Sequence, residues 1–87
     1  MRYFVYILKS ISFDKWYIGS TANLEERIKR HNSGRSTFTK KFKPWSIFYT
    51  EEFSTRTEAL KREYYFKSPK GFLELKKIKL GKQGSVA

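Results

Sequence analysis

Tyr3 to Leu8 is the run that most restricts what this chain can fold into, because six consecutive apolar side chains leave no polar face. Strand alternation puts Tyr3, Val5 and Ile7 on one side and Phe4, Tyr6 and Leu8 on the other. Apolar on both faces, such a strand needs cover on both, so it belongs at the centre of a sheet with packing layers above and below. The run is too short to cross a membrane or to serve as a signal-peptide core. The expectation is therefore a soluble, cytoplasmic protein with no membrane partner. Absence of cysteine fits a reducing compartment and rules out disulfide staples and thiolate metal sites.

The remaining elements follow in order. Ser10 to Asp14 is turn-forming, and Lys15 to Ser20 completes a hairpin in which Gly19 permits a sharp bend or a close approach of another segment. Asn23 is a good N-cap with Glu26 three residues on, which predicts a helix from Leu24 to Asn32 or Ser33, stopped by Gly34 in a left-handed cap. A basic loop follows to Pro44. Trp45 to Phe53 reads as a third strand, with Trp45, Ile47 and Tyr49 on one side and Phe48 on the other. Thr55 and Glu58 form a second capping box, opening a helix to about Lys67. Pro69 suits the first turn of a short third helix, packed through Phe72, Leu73, Leu75, Ile78 and Leu80. The expected fold class is α+β, in the order ββαβαα: a three-stranded antiparallel sheet flanked by helices. Residues 1–80 make one domain, and 81–87, with nothing to bury, a flexible tail.

Charge narrows the partner. With 19 Lys and Arg against 8 Asp and Glu, the net charge is +11, which on so small a domain favours a polyanion through phosphate neutralisation and counterion release. Nucleic acid fits better than an anionic membrane, since no stretch pairs a basic face with a continuous apolar one. Lys29, Arg30, Arg35, Lys40, Lys41, Lys43 and Lys67 are the candidate phosphate contacts, against the plainer reading of a solvated basic surface.

Two helices carry polar groups where a purely structural helix would not. Leu24, Arg27, Ile28 and His31 follow i, i+3, i+4, i+7, a single core-facing stripe, so Arg27 and His31 lie on or beside the buried face. In the next helix Glu63 interrupts the stripe of Ala59, Leu60, Tyr64 and Phe66, while Glu58, Lys61 and Arg62 read as solvated. A carboxylate there must be paired, metal-bound or facing a cleft. Hairpin pairing brings Tyr6 and Tyr17 into one region, although register decides whether they share a face. The set suits phosphodiester hydrolysis. Glu63 would hold a hard cation, Arg27 would offset charge on phosphate, and His31 or a tyrosine would position or deprotonate water. The plainer alternatives are a satisfied Arg27–Glu63 pair, a packing histidine, core tyrosines with wet tips, and an i,i+4 pair of Glu63 with Lys67.

From Tyr3 to about Lys67 the sequence resembles the GIY-YIG nuclease domain in its small stand-alone bacterial form. Tyr17-Ile18-Gly19 matches the second half of the signature, and Phe4-Val5-Tyr6 stands where the family has Gly-Ile-Tyr. Arg27, His31 and the later Glu63 fall at the family's spacing. The resemblance implies cleavage of DNA with one divalent cation, Mg²⁺ or Mn²⁺, on Glu63, and Arg27 as the phosphate electrophile. It further implies that Tyr6, Tyr17 and His31 share the handling of the nucleophile. Two departures stand out. Phe4 replaces the glycine, and no asparagine follows Asn32, where many family nucleases carry one beyond the glutamate. With no second targeting domain in these residues, the expected action is on DNA structure or damage, as in repair, or on single strands. Two other functions compete: a non-catalytic nucleic-acid-binding module on the same fold, and an adaptor docking a protein or ribosomal partner.

Overall fold

The computed structural model describes residues 2–34 and 38–84. Its elements are β1 (Tyr3–Ser10), β2 (Trp16–Thr21), α1 (Leu24–Ser33), a 3-10 turn (Thr39–Phe42), β3 (Trp45–Phe53), α2 (Arg56–Phe66) and α3 (Pro69–Gly84). The strands form one antiparallel sheet in the order β2-β1-β3. The α+β class and the central place of the first strand are as the sequence predicts.

Both faces of β1 are covered, by different partners. Val5 and Ile7 are buried with Ala59 and Phe66 of α2 and Leu75 of α3. Tyr6 and Leu8, on the opposite face, are buried with Trp45 and packed by Leu24 and Ile28 of α1. Thus α1 lies on one side of the sheet and α2 with α3 on the other, and β2 is left as an edge strand between them. The helix starts are capped as predicted: Glu26 N donates to Asn23 Oδ1 at 3.0 Å, and Glu58 N donates to Thr55 Oγ1 at 3.2 Å. Gly34 closes α1 at φ 88°, the left-handed region.

Several details differ from the sequence reading. Tyr49 does not share a side with Trp45 and Ile47. Ile7 pairs with Tyr49 but Leu8 with Ile47, so a bulge at Phe48 turns Phe48 and Tyr49 together towards the α2 side. The third helix is sixteen residues long rather than short, reaching into the stretch read as tail; residues 85–87 lie outside the described residues. Lys, Leu and Gln are good helix formers, and Gly81 costs only about 1 kcal/mol. Of its five expected packing residues, Leu75 and Ile78 meet the core, joined by buried Gly71, whereas Phe72, Leu73 and Leu80 are exposed. Positions 71, 75 and 78 make one i, i+4, i+7 stripe, and the other three fall off it.

Arg62 is the largest correction. Expected in solvent, it instead ties three elements together. Its guanidinium donates to Glu51 of β3 at 2.7 and 2.9 Å and to Glu74 of α3, and it stacks over Phe66 with 4.3 Å to the ring centroid. Tyr49 donates its hydroxyl to the same Glu51 at 2.6 Å, and this burial and bonding push the phenol up to about 12. Burial alone would raise the Glu51 carboxyl, but the Arg62 and Tyr49 hydrogen bonds and the Arg62 charge outweigh it and hold Glu51 below the usual carboxylate range. Because folded Glu51 binds its proton less tightly than the unfolded chain, its contribution is complete above the ordinary carboxylate pKa, and it is lost as pH falls through the depressed one. Arg62→Met is expected to cost about 2 kcal/mol at neutral pH. Urea unfolding of the two proteins from pH 7 to pH 3 should show this deficit shrinking as Glu51 is protonated.

Candidate active site along the second strand

Register settles how the two tyrosines meet. Tyr6 pairs with Gly19 and Leu8 with Tyr17, so Tyr6, Tyr17 and Gly19 share the α1 face. The Tyr6 ring lies across Gly19, where a Cβ would stand 2.5 Å from the Tyr6 hydroxyl oxygen and 2.7 Å from Cζ. Close approach, rather than a bend, is what Gly19 provides, and β2 continues through it to Thr21. Phe4, where the resembling family has glycine, pairs with Thr21 two positions away and leaves Tyr6 in place.

Tyr6 is fully buried, and its hydroxyl meets His31 Nε2 at 3.1 Å. The other ring nitrogen, Nδ1, meets Thr39 Oγ1 at 2.9 Å, so both nitrogens of a histidine only 2% exposed are committed within the protein. Burial, then the positive charges of Arg27 and Arg30, lower the imidazole below its usual pKa, which keeps it neutral at pH 7. Burial also raises the Tyr6 hydroxyl well above the tyrosine range, as do Tyr17 and Glu63, against a downward pull from Arg27 through charge and a hydrogen bond. Tyr17 sits half-buried in front of this pair, with its ring 4.8 Å from His31 and 6.3 Å from Tyr6 between centroids.

Glu63 reaches the β2 edge from the opposite side of the sheet. Ser20 donates to its Oε1 at 2.7 Å and Lys67 to its Oε2 at 2.8 Å, with the Glu63 side chain 15% exposed. Arg27 and Glu63 make no ion pair with each other among the described residues, so the closed-pair alternative does not hold. Arg27 instead lines a 280 Å³ pocket with Ser20, Asn23, Arg30 and Arg56, between the starts of α1 and α2. Further along the same edge, Tyr17, Phe38 and Lys67 line a second concavity. The helices cover opposite faces of the sheet, and the opening between them runs beside β2.

Along the β2 edge the structure sets Arg27 in one pocket and Tyr17 in a second, holds Glu63 on Ser20 of the same strand, and buries Tyr6 and His31 between the sheet and α1. Among the described residues no three His, Cys, Asp or Glu side chains cluster for a metal. One accessible carboxylate suits a hard divalent cation that keeps most of its waters, with Lys67, half-exposed, as the group that must yield its place. Of the proposed phosphate contacts, Lys29 and Arg30 are exposed and loosely paired with Glu25 and Glu26, at 3.9 and 3.8 Å. Lys40, Lys41 and Lys43 are exposed in the turn before β3, and Arg35 lies outside the described residues. Sequence reasoning missed Ser20, Thr39 and Arg56. Thr39 and Ser20 gave no signal, but Arg56 precedes Glu63 by seven residues, two turns on one stripe of α2.

A family model of the GIY-YIG catalytic domain matches residues 2–78. The UPF0213 protein YazA of Bacillus subtilis is 41% identical over 67 residues, spanning 76% of this chain and 67% of that protein. The UPF0213 protein SSP2268 of Staphylococcus saprophyticus is 38% identical over 95% of this chain and 98% of its own. The solution structure of the UPF0213 protein BH0048 from Bacillus halodurans aligns with a TM-score of 0.53 at 33% identity, covering 91% of this chain and 86% of that one.

Two measurements check this geometry. Gly19→Ala is expected to lose about 1–3 kcal/mol in chemical denaturation, because the Tyr6 ring must move off the strand. The single histidine should titrate below 6.5 in NMR, and Arg27→Gln should raise that midpoint by removing a neighbouring charge.

Proposed function

The chain belongs to the GIY-YIG family, a nuclease superfamily, and on that premise we propose that it is a divalent-metal-dependent endonuclease hydrolysing DNA phosphodiester bonds. The observation that carries the proposal is the β2 edge, where Arg27 and Ser20 line one pocket and Ser20 binds the Glu63 carboxylate that comes from the opposite face, with no ion pair between Arg27 and Glu63 among the described residues. Two opposite charges kept apart at an open edge have capacity for a third party.

In this reading Glu63 would hold one Mg²⁺ or Mn²⁺, which when bound would supply positive charge to the phosphate. Arg27 donates to a non-bridging phosphate oxygen and offsets the charge that grows there in the transition state. Tyr17, the tyrosine that faces the groove, orients the attacking water. Tyr6, His31 and Thr39 form the hydrogen-bonded support behind it, with His31 neutral and Tyr6 protonated. Exposed Lys40, Lys41, Lys43 and Lys67 supply charge along the strand's path. In this reading the substrate is a distorted, damaged or single-stranded DNA rather than a defined sequence.

One observation favours the binding-module alternative. The Lys67 ammonium holds the Glu63 carboxylate, as a cation would. Cleavage assays on supercoiled, nicked, branched and single-stranded DNA with Mg²⁺ or Mn²⁺ separate the two. Glu63→Ala should abolish turnover, and Arg27→Ala should lower it by about 10²–10³. Turnover that survives in Glu63→Ala removes the metal role of Glu63. Salt-sensitive binding without cleavage of any substrate establishes the binding module.

A further inference from the structure

The 280 Å³ pocket at the exit of β2 extends beyond the groups that the proposed hydrolysis uses. Three guanidinium groups line it: Arg27 and Arg30 from α1, and Arg56 from the first turn of α2. Its one acidic lining residue, Glu26, is engaged with Asn23 Nδ2 at 3.4 Å and with Arg30 at 3.8 Å. Arg56 makes no ion pair among the described residues. It also stands where the helix dipole disfavours a cation, since a first turn carries partial positive charge. A basic residue kept at such a place, unpaired and facing two other arginines, is poised for an anion. Arg56 and Glu63 lie on one stripe of α2, and Ser20 lines the pocket while binding Glu63, so the pocket and the Glu63 carboxylate are neighbours across one residue of β2.

We propose that this pocket is a second phosphate seat, in which Arg56 and Arg30 hold the backbone phosphate that neighbours, on the same strand, the one at Arg27 and Glu63. The proposal rests on the reading that the groove binds nucleic acid, and it assigns Arg56 as a positioning residue that fixes the strand without touching the reacting atoms. Arginine suits this task because its planar fork matches two phosphate oxygens at once.

The test needs no cleavage. Fluorescence anisotropy with a single-stranded oligonucleotide in EDTA should show Arg56→Gln binding about tenfold more weakly, with the slope of log K against log salt reduced by about 0.7. Lys61→Gln removes one exposed charge from α2 outside the pocket and should change affinity less than twofold. Arg56→Lys should recover the salt slope but only part of the affinity. In NMR, thymidine 5′-monophosphate should shift the amides of Thr21, Ala22 and Asn23 in the parent protein and leave them unmoved in Arg56→Gln. Equal weakening by Arg56→Gln and Lys61→Gln overturns the seat even where DNA is cut normally. Selective weakening by Arg56→Gln in a protein that cuts no DNA keeps the seat and removes the nuclease reading. Failure of the parent protein to bind the oligonucleotide overturns both.

Discussion

A tyrosine with no access to water must find its hydrogen-bond partner inside the protein, and much of this structure follows from that one requirement. Tyr6 sits on the central strand, with its ring over Gly19 and its hydroxyl at His31. An unpaired hydroxyl there would cost of order 1–3 kcal/mol, more than most single contacts in so small a domain contribute. His31 in turn needs a partner for its second nitrogen and takes Thr39, which pulls the turn before β3 onto α1. Trp45 completes the closure by donating Nε1 to the Thr39 carbonyl at 2.7 Å, while Asn32 binds the Trp45 amide at 2.6 Å. A polar chain thus runs from the middle of the sheet to the surface loop with every member satisfied. No buried side-chain nitrogen or oxygen lacks a partner among the described residues.

That closed chain explains the division of labour along β2. Its members are fixed and dry, so they can orient Tyr17 but cannot meet a substrate themselves. The charged groups beside β2 are held by side chains that reach the surface as well as by the core. Arg27 leans on the Tyr6 hydroxyl, and Glu63 is steadied by Ser20 and screened by Lys67. Rigid support behind and partly exposed charge in front is the arrangement on which the proposed phosphodiester site would draw. On the far face, the Arg62 network performs the structural counterpart. It uses the same residue types, arginine, carboxylate and tyrosine, in a group whose members pair with one another.

The contrast between Arg62 and Arg27 marks the limit of reading charge from helical stripes. Neighbouring positions on α2 send Glu63 to a groove and Arg62 into a three-element tie, and periodicity alone assigned Arg62 to solvent. What it lacked was the identity of the facing surface: Glu51 and Glu74 come from β3 and α3, eleven residues before it and twelve after. The same blindness hid the bulge at Phe48, because an inserted residue on one strand is defined only against its partner.

Local chemistry alone determined the elements and their caps, since Asn23, Gly34 and Thr55 act within a few residues of where they stand. The sequence by itself also determined that β1 is central, because its two apolar faces admit no other position. It placed Arg27, His31 and Glu63 as the residues that break their helical stripes, and hairpin pairing brought Tyr6 and Tyr17 into one region. Tertiary structure decided which of these are open and which are closed. That outcome depends on strand register, on which helix covers which face, and on partners such as Ser20, Thr39 and Arg56, whose importance lies in what they touch. A residue's type and spacing fix the chemistry it can do, but access to that chemistry is a property of the surfaces that surround it.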